Sequence, residues 1–274
     1  MKVIRASKAG FCFGVKRAVK LSEEASKEKG PVHTLGPVVH NPQAIERLEH
    51  MSVKEINEIR EARRGTVIIR AHGIPPEDYK VLESKGIEIV DATCPFVKKA
   101  QDYARMLHDE GYAIVIIGEK DHPEVRGIKG HAKEATVIET PEEAERLQMC
   151  GKMGVVVQTT QEQAVVGKII PILFNKTKEL RVFNTICSAT GERQEAVKGF
   201  AGKVDVIVVV GGRNSGNTRR LAQIAGRIAP TYHIETAREL KKEWFRGAKT
   251  VGVAAGASTP DFVIDEVVKR LESY

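Results

Sequence analysis

One pattern recurs along the 274 residues and constrains the fold more than any other: a short apolar segment runs straight into small polar residues or a histidine. Apolar segments that alternate with helical ones, such as 219–228, are typical of parallel sheets covered by helices on both faces. Such sheets bind ligands beyond the carboxyl ends of their strands, which is where the polar residues fall. The pattern occurs at 32–35, 66–69, 113–117, 154–157, 206–210 and 251–254.

Three cysteines, Cys12, Cys94 and Cys187, each precede an amphipathic segment. Pro95 has no backbone N–H to lose and suits the first position of a helix, so Cys94 should lie at the helix cap. A thiol there faces unpaired N–H groups and the positive end of the helix dipole, which stabilises a metal-binding thiolate. We therefore interpret the three as ligands of one iron–sulfur cluster, although any one alone would more often be a buried structural cysteine.

Cysteine use and composition narrow the class of protein. Cys150 lacks such a helical setting and is predicted to be a bystander. Four widely spaced cysteines without a signal peptide favour the reducing cytoplasm over a secreted disulfide scaffold. The apolar runs are far shorter than the roughly 18 residues of a membrane helix. The net charge is +7, but the basic residues are mostly interleaved with glutamates, and aromatic residues make up only 5% of the chain. Nucleic-acid binding is therefore not expected.

Each third of the chain carries two strand-end motifs and one cysteine. This predicts an α/β fold of three small parallel-sheet lobes, at 1–94, 95–187 and 188–274, the last with the C-terminal segment. The lobes should be arranged with pseudo-threefold symmetry, their strand ends facing a shared central cavity that holds the cluster.

The strand-end residues suit an anionic ligand. Three histidines, His40, His72 and His122, lie just past a strand end. Hydroxyl and amide groups complete a donor-rich set suited to phosphate or diphosphate: Thr159, Thr160, Ser215, Asn217 and Ser258. A helix starting near 214–217 would add backbone N–H groups. The alternatives are ordinary surface or core histidines and a plain Asn/Ser helix cap.

Glu124 is the one carboxylate inside a strand-end motif that also carries a histidine. This makes it the candidate proton donor. The alternatives are a capping role or an exposed ion pair with Arg126.

Taken together, the motifs resemble the signatures of the 4-hydroxy-3-methylbut-2-enyl diphosphate reductase family, which catalyses the last step of the methylerythritol phosphate route to isoprenoids. The resemblance spans the chain from Cys12 to Ser258. It rests on Gly10-Phe11-Cys12-Phe13-Gly14-Val15, 36–42, Arg70-Ala71-His72-Gly73, Asp91-Ala92-Thr93-Cys94-Pro95, His122-Pro123-Glu124, Gln158-Thr159-Thr160 and 214–217.

The resemblance implies a [4Fe-4S] cluster held by Cys12, Cys94 and Cys187, with one iron open to the substrate hydroxyl. Glu124 and Thr159 would relay a proton to the departing hydroxyl. Two electrons from ferredoxin or flavodoxin would reduce the small allylic diphosphate to isopentenyl and dimethylallyl diphosphates in a cytoplasmic monomer. Gly216 stands where the family often has a second serine, so contacts there must come from backbone or neighbours. The residues implied to bind diphosphate are His40, His72, His122, Thr160, Ser215, Gly216, Asn217 and Ser258.

Three other classes are less well supported. A trilobed cluster enzyme such as quinolinate synthase binds carboxylates and would favour more arginine at the strand ends, where only Arg70 and Arg213 lie. A structural zinc protein usually has close C-x-x-C spacing, which is absent from this sequence. A pure electron carrier would be smaller and would not need six polar strand ends.

Overall fold

A computed structural model describes residues 1–28, 30–39 and 41–274. The strands are β1 (Lys2–Arg5), β2 (Val32–Leu35), β3 (Val53–Ile56), β4 (Thr66–Ile69), β5 (Glu88–Asp91), β6 (Ala113–Ile117), β7 (Thr136–Ile138), β8 (Cys150–Val157), β9 (Thr177–Phe183), β10 (Val206–Val210), β11 (Thr231–Ile234) and β12 (Thr250–Ala255). The helices are α1 (Phe13–Ala25), α2 (Pro42–His50), α3 (Pro76–Ser84), α4 (Pro95–Asp109), α5 (Pro123–Gly130), α6 (Pro141–Glu145), α7 (Gln163–Phe174), α8 (Ser188–Lys198), α9 (Gly216–Gly226) and α10 (Asp261–Glu272). Short 3₁₀ turns lie at Ile59–Glu61, Ala237–Glu239 and Lys242–Phe245.

The strands form three parallel sheets of four strands each, which confirms the predicted α/β fold of three parallel-sheet lobes. Their orders are β3-β2-β4-β5, β7-β6-β8-β9 and β1-β12-β10-β11. All five valines and isoleucines of β10 are buried. Such β-branched side chains pack well on a sheet covered on both faces.

The sequence pattern placed the polar strand ends correctly. All six apolar segments are strands, and each is followed directly by its polar motif. The helices α1, α4 and α8 begin at the residue after Cys12, Cys94 and Cys187, respectively. The segment after Cys94 is amphipathic, as expected: α4 buries an apolar face that includes Val97, Ala100, Ala104 and Leu107.

One strand differs from the predicted lobes. The interpretation placed residues 1–94 in one lobe, but β1 pairs with β12 in the sheet of the last third. Two compact units can be distinguished by internal contacts: a first unit of Met1–Lys16, Val39–His50 and Ser188–Tyr274, and a second unit of Arg17–Val38 and Met51–Cys187. The lobe boundaries at 94 and 187 and the pseudo-threefold arrangement stay predictions. No helix in the described ranges is long and apolar enough to cross a membrane.

Candidate active site

The three cysteines occupy equivalent positions relative to the sheets. In each case the backbone N–H of the cysteine donates a 3.0 Å hydrogen bond to the carbonyl of the second residue after a strand. Three separate sheets therefore hold their cysteine by the same local bond. The pairs are Cys12 with Ala257 after β12, Cys94 with Ala71 after β4, and Cys187 with Thr159 after β8.

Within the second unit, Glu124 and Thr159 form a buried pair. The N–H of Thr159 donates to Oε1 of Glu124 at 2.6 Å, and its hydroxyl donates to Oε2 at 2.8 Å. The carbonyl of the same threonine accepts the N–H of Cys187. Thr159 therefore links the carboxyl group of Glu124 to Cys187, a predicted cluster ligand. Because Glu124 is buried, it does not form the exposed ion pair with Arg126 that was considered above.

Burial makes the Glu124 carboxyl an unusually weak acid. The side chain lies in the first turn of α5 and is only 1% exposed. Desolvation raises its pKa to about 7, with a further upward contribution from the charge of Glu119, while the two hydrogen bonds from Thr159 oppose the rise. A carboxyl with this pKa is about half protonated at neutral pH, so it can both carry a proton and release it, as a general acid must.

His72 and His122 lie beside this pair in the second unit. Their ring centroids are 5.3 Å apart at an interplanar angle of 82°. His122 also caps α5, where its Nδ1 accepts the N–H of Glu124 at 3.2 Å. Thr160 is held through its hydroxyl, which accepts from Nε2 of Gln158 at 3.0 Å.

The first unit carries the remaining predicted anion contacts. Ser215 is the N-cap of α9, and its Oγ accepts the N–H of Thr218 at 3.3 Å, so the alternative of a capping serine is realised. Gly216 is the first residue of that helix. Ser215, Asn217 and Ser258 are all buried, at 5%, 5% and 6% exposure. Nδ2 of Asn217 is buried without a hydrogen-bond partner among the described residues.

A buried donor left without a partner is rare in folded proteins, so it points to a ligand acceptor. The chain at the end of β12 also packs closely against α9. A Cβ added to Gly256, directly after β12, would collide with Oγ1 of Thr218 in α9.

Sequence reasoning missed three side chains that hold the chain just before a cysteine. Arg193 donates to the carbonyl of Gly10, Arg17 donates to the carbonyls of Asp91 and Thr93, and the hydroxyl of Thr185 bonds to the backbone of Val157. The two arginines lie among other charged residues on helices, where the sequence gives no signal that distinguishes them from solvated side chains.

Two sequence predictions fall elsewhere. His40 lies outside the described residues, and its role stays a prediction. Cys150 begins β8, at the opposite end of that strand from Gln158 and Thr159, and its Sγ contacts the carbonyl of Lys152 at 3.5 Å. Its interpretation as a bystander stays a prediction.

Comparison with known proteins adds independent evidence. The model of the family described as "LytB protein" matches residues 3–272. The chain belongs to this family. The 4-hydroxy-3-methylbut-2-enyl diphosphate reductase of Geobacter sulfurreducens is 47% identical over 276 residues, covering 100% of this chain and 98% of the relative. The enzyme of the same name from Aquifex aeolicus is 49% identical over 278 residues, covering 98% and 96%.

Two solved structures share the LytB fold of this chain. One is described as (E)-4-hydroxy-3-methyl-but-2-enyl diphosphate reductase, the terminal enzyme of the non-mevalonate pathway. It is 48% identical with a TM-score of 0.72, and the match covers 100% of both chains. The other is the E-1-hydroxy-2-methyl-but-2-enyl-4-diphosphate reductase from Plasmodium falciparum. It is 29% identical with a TM-score of 0.94, covering 98% of this chain and 87% of that one.

Membership of the LytB family implies an iron–sulfur cofactor, and the thiols fit one. Iron–sulfur clusters are held by cysteine thiolates, and three thiols are presented here in equivalent backbone settings, each only partly buried. Cys12 belongs to the first unit, whereas Cys94 and Cys187 belong to the second. Within the described ranges no three His, Cys, Asp or Glu side chains already form a metal site. Binding of one cluster by all three cysteines stays a prediction.

Proposed function

We propose that this chain catalyses the reductive dehydroxylation of (E)-4-hydroxy-3-methylbut-2-enyl diphosphate to isopentenyl and dimethylallyl diphosphates. The family, the likeness to the reductases of Geobacter sulfurreducens and Aquifex aeolicus, and the strand-end residues support this activity. The observation that carries the proposal is the buried Glu124–Thr159 pair, whose threonine carbonyl also accepts the N–H of Cys187.

The reaction requires two electrons and two protons. The carbon–oxygen bond breaks, one proton converts the departing hydroxyl to water, and the other adds to the allylic skeleton. Protonation at one or the other end of the allylic system gives the two isomeric products. A proton donor beside the hydroxyl is therefore essential, because hydroxide is a poor leaving group.

Glu124 is assigned to protonate the departing hydroxyl through Thr159. Its pKa of about 7 leaves about half of the Glu124 carboxyls protonated at neutral pH, and the 2.8 Å contact with Oγ1 of Thr159 provides a path for the proton. Burial also excludes bulk water, which strengthens the electrostatic interactions of the site.

The diphosphate is assigned to the donors at the strand ends. His72 and His122 would supply imidazole N–H groups, together with His40, and Thr160 a hydroxyl. Ser215, Asn217 and Ser258 would contribute from the ends of β10 and β12, with backbone N–H groups of α9 starting at Gly216. The buried Nδ2 of Asn217 supports this assignment, since a phosphate oxygen would supply the acceptor it lacks.

The cofactor is assigned as a [4Fe-4S] cluster held by Cys12, Cys94 and Cys187. When bound, it would supply the electrons and, through an iron without a protein thiolate, a Lewis acid for the substrate hydroxyl. An external one-electron donor such as ferredoxin or flavodoxin would reload it, and we propose that the chain acts as a cytoplasmic monomer.

Anaerobic turnover tests this function. The purified protein is supplied with the hydroxylated allylic diphosphate and a reduced viologen, and the products are identified by mass spectrometry. The proposal predicts both isopentenyl and dimethylallyl diphosphate. Iron-loaded protein that oxidises no viologen in the presence of this substrate would rule the activity out.

A further inference from the structure

Arg193 holds the chain just before Cys12 by a buried guanidinium group. This residue of α8 is 6% exposed. One terminal nitrogen donates to the carbonyl of Gly10 at 2.6 Å, and the other donates to the carbonyl of Ala189 at 2.8 Å. Gly10 has a φ of +104°, so this turn adopts a backbone conformation that most other residues avoid.

Arg17 makes an equivalent bond before Cys94. From α1 its guanidinium donates to the carbonyl of Asp91 at 3.1 Å and to the carbonyl of Thr93 at 3.4 Å. Thr93 is the residue adjacent to Cys94, and its own N–H donates to Oδ1 of Asp91 at 2.9 Å. The segment that presents the thiol is thus fixed from both sides.

The third cysteine is held without a positive charge. Thr185, two residues before Cys187, accepts the N–H of Val157 at 2.9 Å, and its hydroxyl donates to the carbonyl of the same residue. Its neighbour Asn184 accepts the N–H of Ile186 at 3.3 Å. Side-chain hydrogen bonds therefore hold the backbone before all three cysteines, but only Arg193 and Arg17 bring a positive charge with them.

These contacts have two separable consequences. Groups that orient metal ligands from outside the coordination shell typically govern how tightly the metal is held. A guanidinium also stays charged at all accessible pH values, so it attracts negative charge placed nearby. Thiolate clusters are anionic and gain a further negative charge on reduction, and a fixed cation stabilises the reduced state more than the oxidised one.

We propose that Arg193 and Arg17 are positioning residues for Cys12 and Cys94, and that their permanent charges raise the reduction potential of the iron–sulfur cofactor. Thr185 positions Cys187 without this electrostatic effect. The inference rests on the cofactor assignment of the proposed function and adds residues that set its retention and potential.

The test compares charge removal with loss of position. Arg193→Met, Arg17→Met and Thr185→Val are purified anaerobically as iron-loaded proteins. Iron release to a chelator is timed, and the midpoint potential is obtained by redox titration followed by absorbance. Arg105→Met is the matched control, since Arg105 lies on α4 in an exposed pair with Asp102. Circular dichroism verifies that each variant is folded.

Arg193→Met, Arg17→Met and Thr185→Val should each release iron about 10- to 100-fold faster than the wild type. Arg105→Met should match the wild type. Only the two arginine variants should have a lower midpoint potential. Arg193→Lys and Arg17→Lys should restore the potential more fully than iron retention, because lysine keeps the charge but not the planar fork of donors.

Different results overturn different parts. If the wild type loads iron and the arginine variants match it in both iron release and midpoint potential, this inference alone is overturned. A potential that falls equally in Thr185→Val would overturn the electrostatic role, because position would then explain the shift. If Arg193→Met does not fold, Arg17→Met and the two lysine variants decide the outcome. A wild type that takes up no iron would overturn the proposed function and this inference with it.

Discussion

Replacement of Glu124 by glutamine should change how the stability of the protein depends on pH. The carboxyl of Glu124 has a pKa of about 7 in the folded protein, raised by burial from a reference value of 4.5. Below pH 4.5 both the folded and the unfolded chain carry the proton. Between the two values only the folded chain keeps it, so the free energy of unfolding falls as pH rises.

The size of this effect follows from the two pKa values. Their difference is about 2.5, and each pKa unit corresponds to about 1.36 kcal/mol. Ionisation of Glu124 should therefore lower the free energy of unfolding of the wild type by about 3 kcal/mol between pH 4.5 and pH 7. Glutamine fits the same space and carries no titrating proton. The difference in unfolding free energy between Glu124→Gln and wild type should therefore shift in favour of the variant by about that amount and level off above pH 7.

Urea unfolding of the cluster-free proteins, followed by circular dichroism from pH 4.5 to pH 8, measures this difference. The control is Glu272→Gln, at an exposed position at the end of α10. Its curve should run parallel to that of the wild type. A Glu124→Gln curve that is equally parallel would show that the buried carboxyl is ionised throughout, and the general-acid assignment would lose its physical basis.

Three further results are expected. Serine at Cys12, Cys94 or Cys187 should abolish turnover and lower bound iron, measured by metal analysis, whereas Cys150→Ser should keep both; iron loss in Cys150→Ser would contradict the ligand assignment. Asn217→Ala and His72→Ala should raise the KM for substrate and weaken inhibition by inorganic diphosphate while the cluster spectrum persists, and unchanged values in both would place the diphosphate elsewhere. Thr159→Val should slow single-turnover reduction, but less than Glu124→Gln does, because water can replace a hydroxyl in a proton path; a wild-type rate would remove Thr159 from the path.

The central strands could be predicted because burial on both faces demands a continuous apolar run. Val206–Val210 is such a run, and the polar motif that begins at Gly211 marks the carboxyl edge of the sheet. The start of α4 was predictable for a similarly local reason: Pro95 suits the first helical position, and Cys94 does occupy the N-cap.

What escaped prediction depends on contacts between distant parts of the chain. The strand β1 has four residues, two of them exposed, and nothing in it indicates pairing with Thr250–Ala255. Arg193 and Gly10 are 183 residues apart, and only the fold shows that this arginine is buried against a backbone carbonyl. The raised pKa of Glu124 likewise follows from its burial, which its neighbours in sequence do not reveal.

Single-turnover reduction by the pre-reduced protein tests the central claim most directly, because it removes electron delivery as a limit. Wild type and Glu124→Gln, loaded with equal iron, are mixed with the hydroxylated allylic diphosphate and quenched at intervals. A general acid typically contributes about 10²- to 10⁴-fold, so the variant should bind substrate normally and form product slower by that factor. Product formation by Glu124→Gln at the wild-type rate would contradict the account, and the proton would have to come from another group.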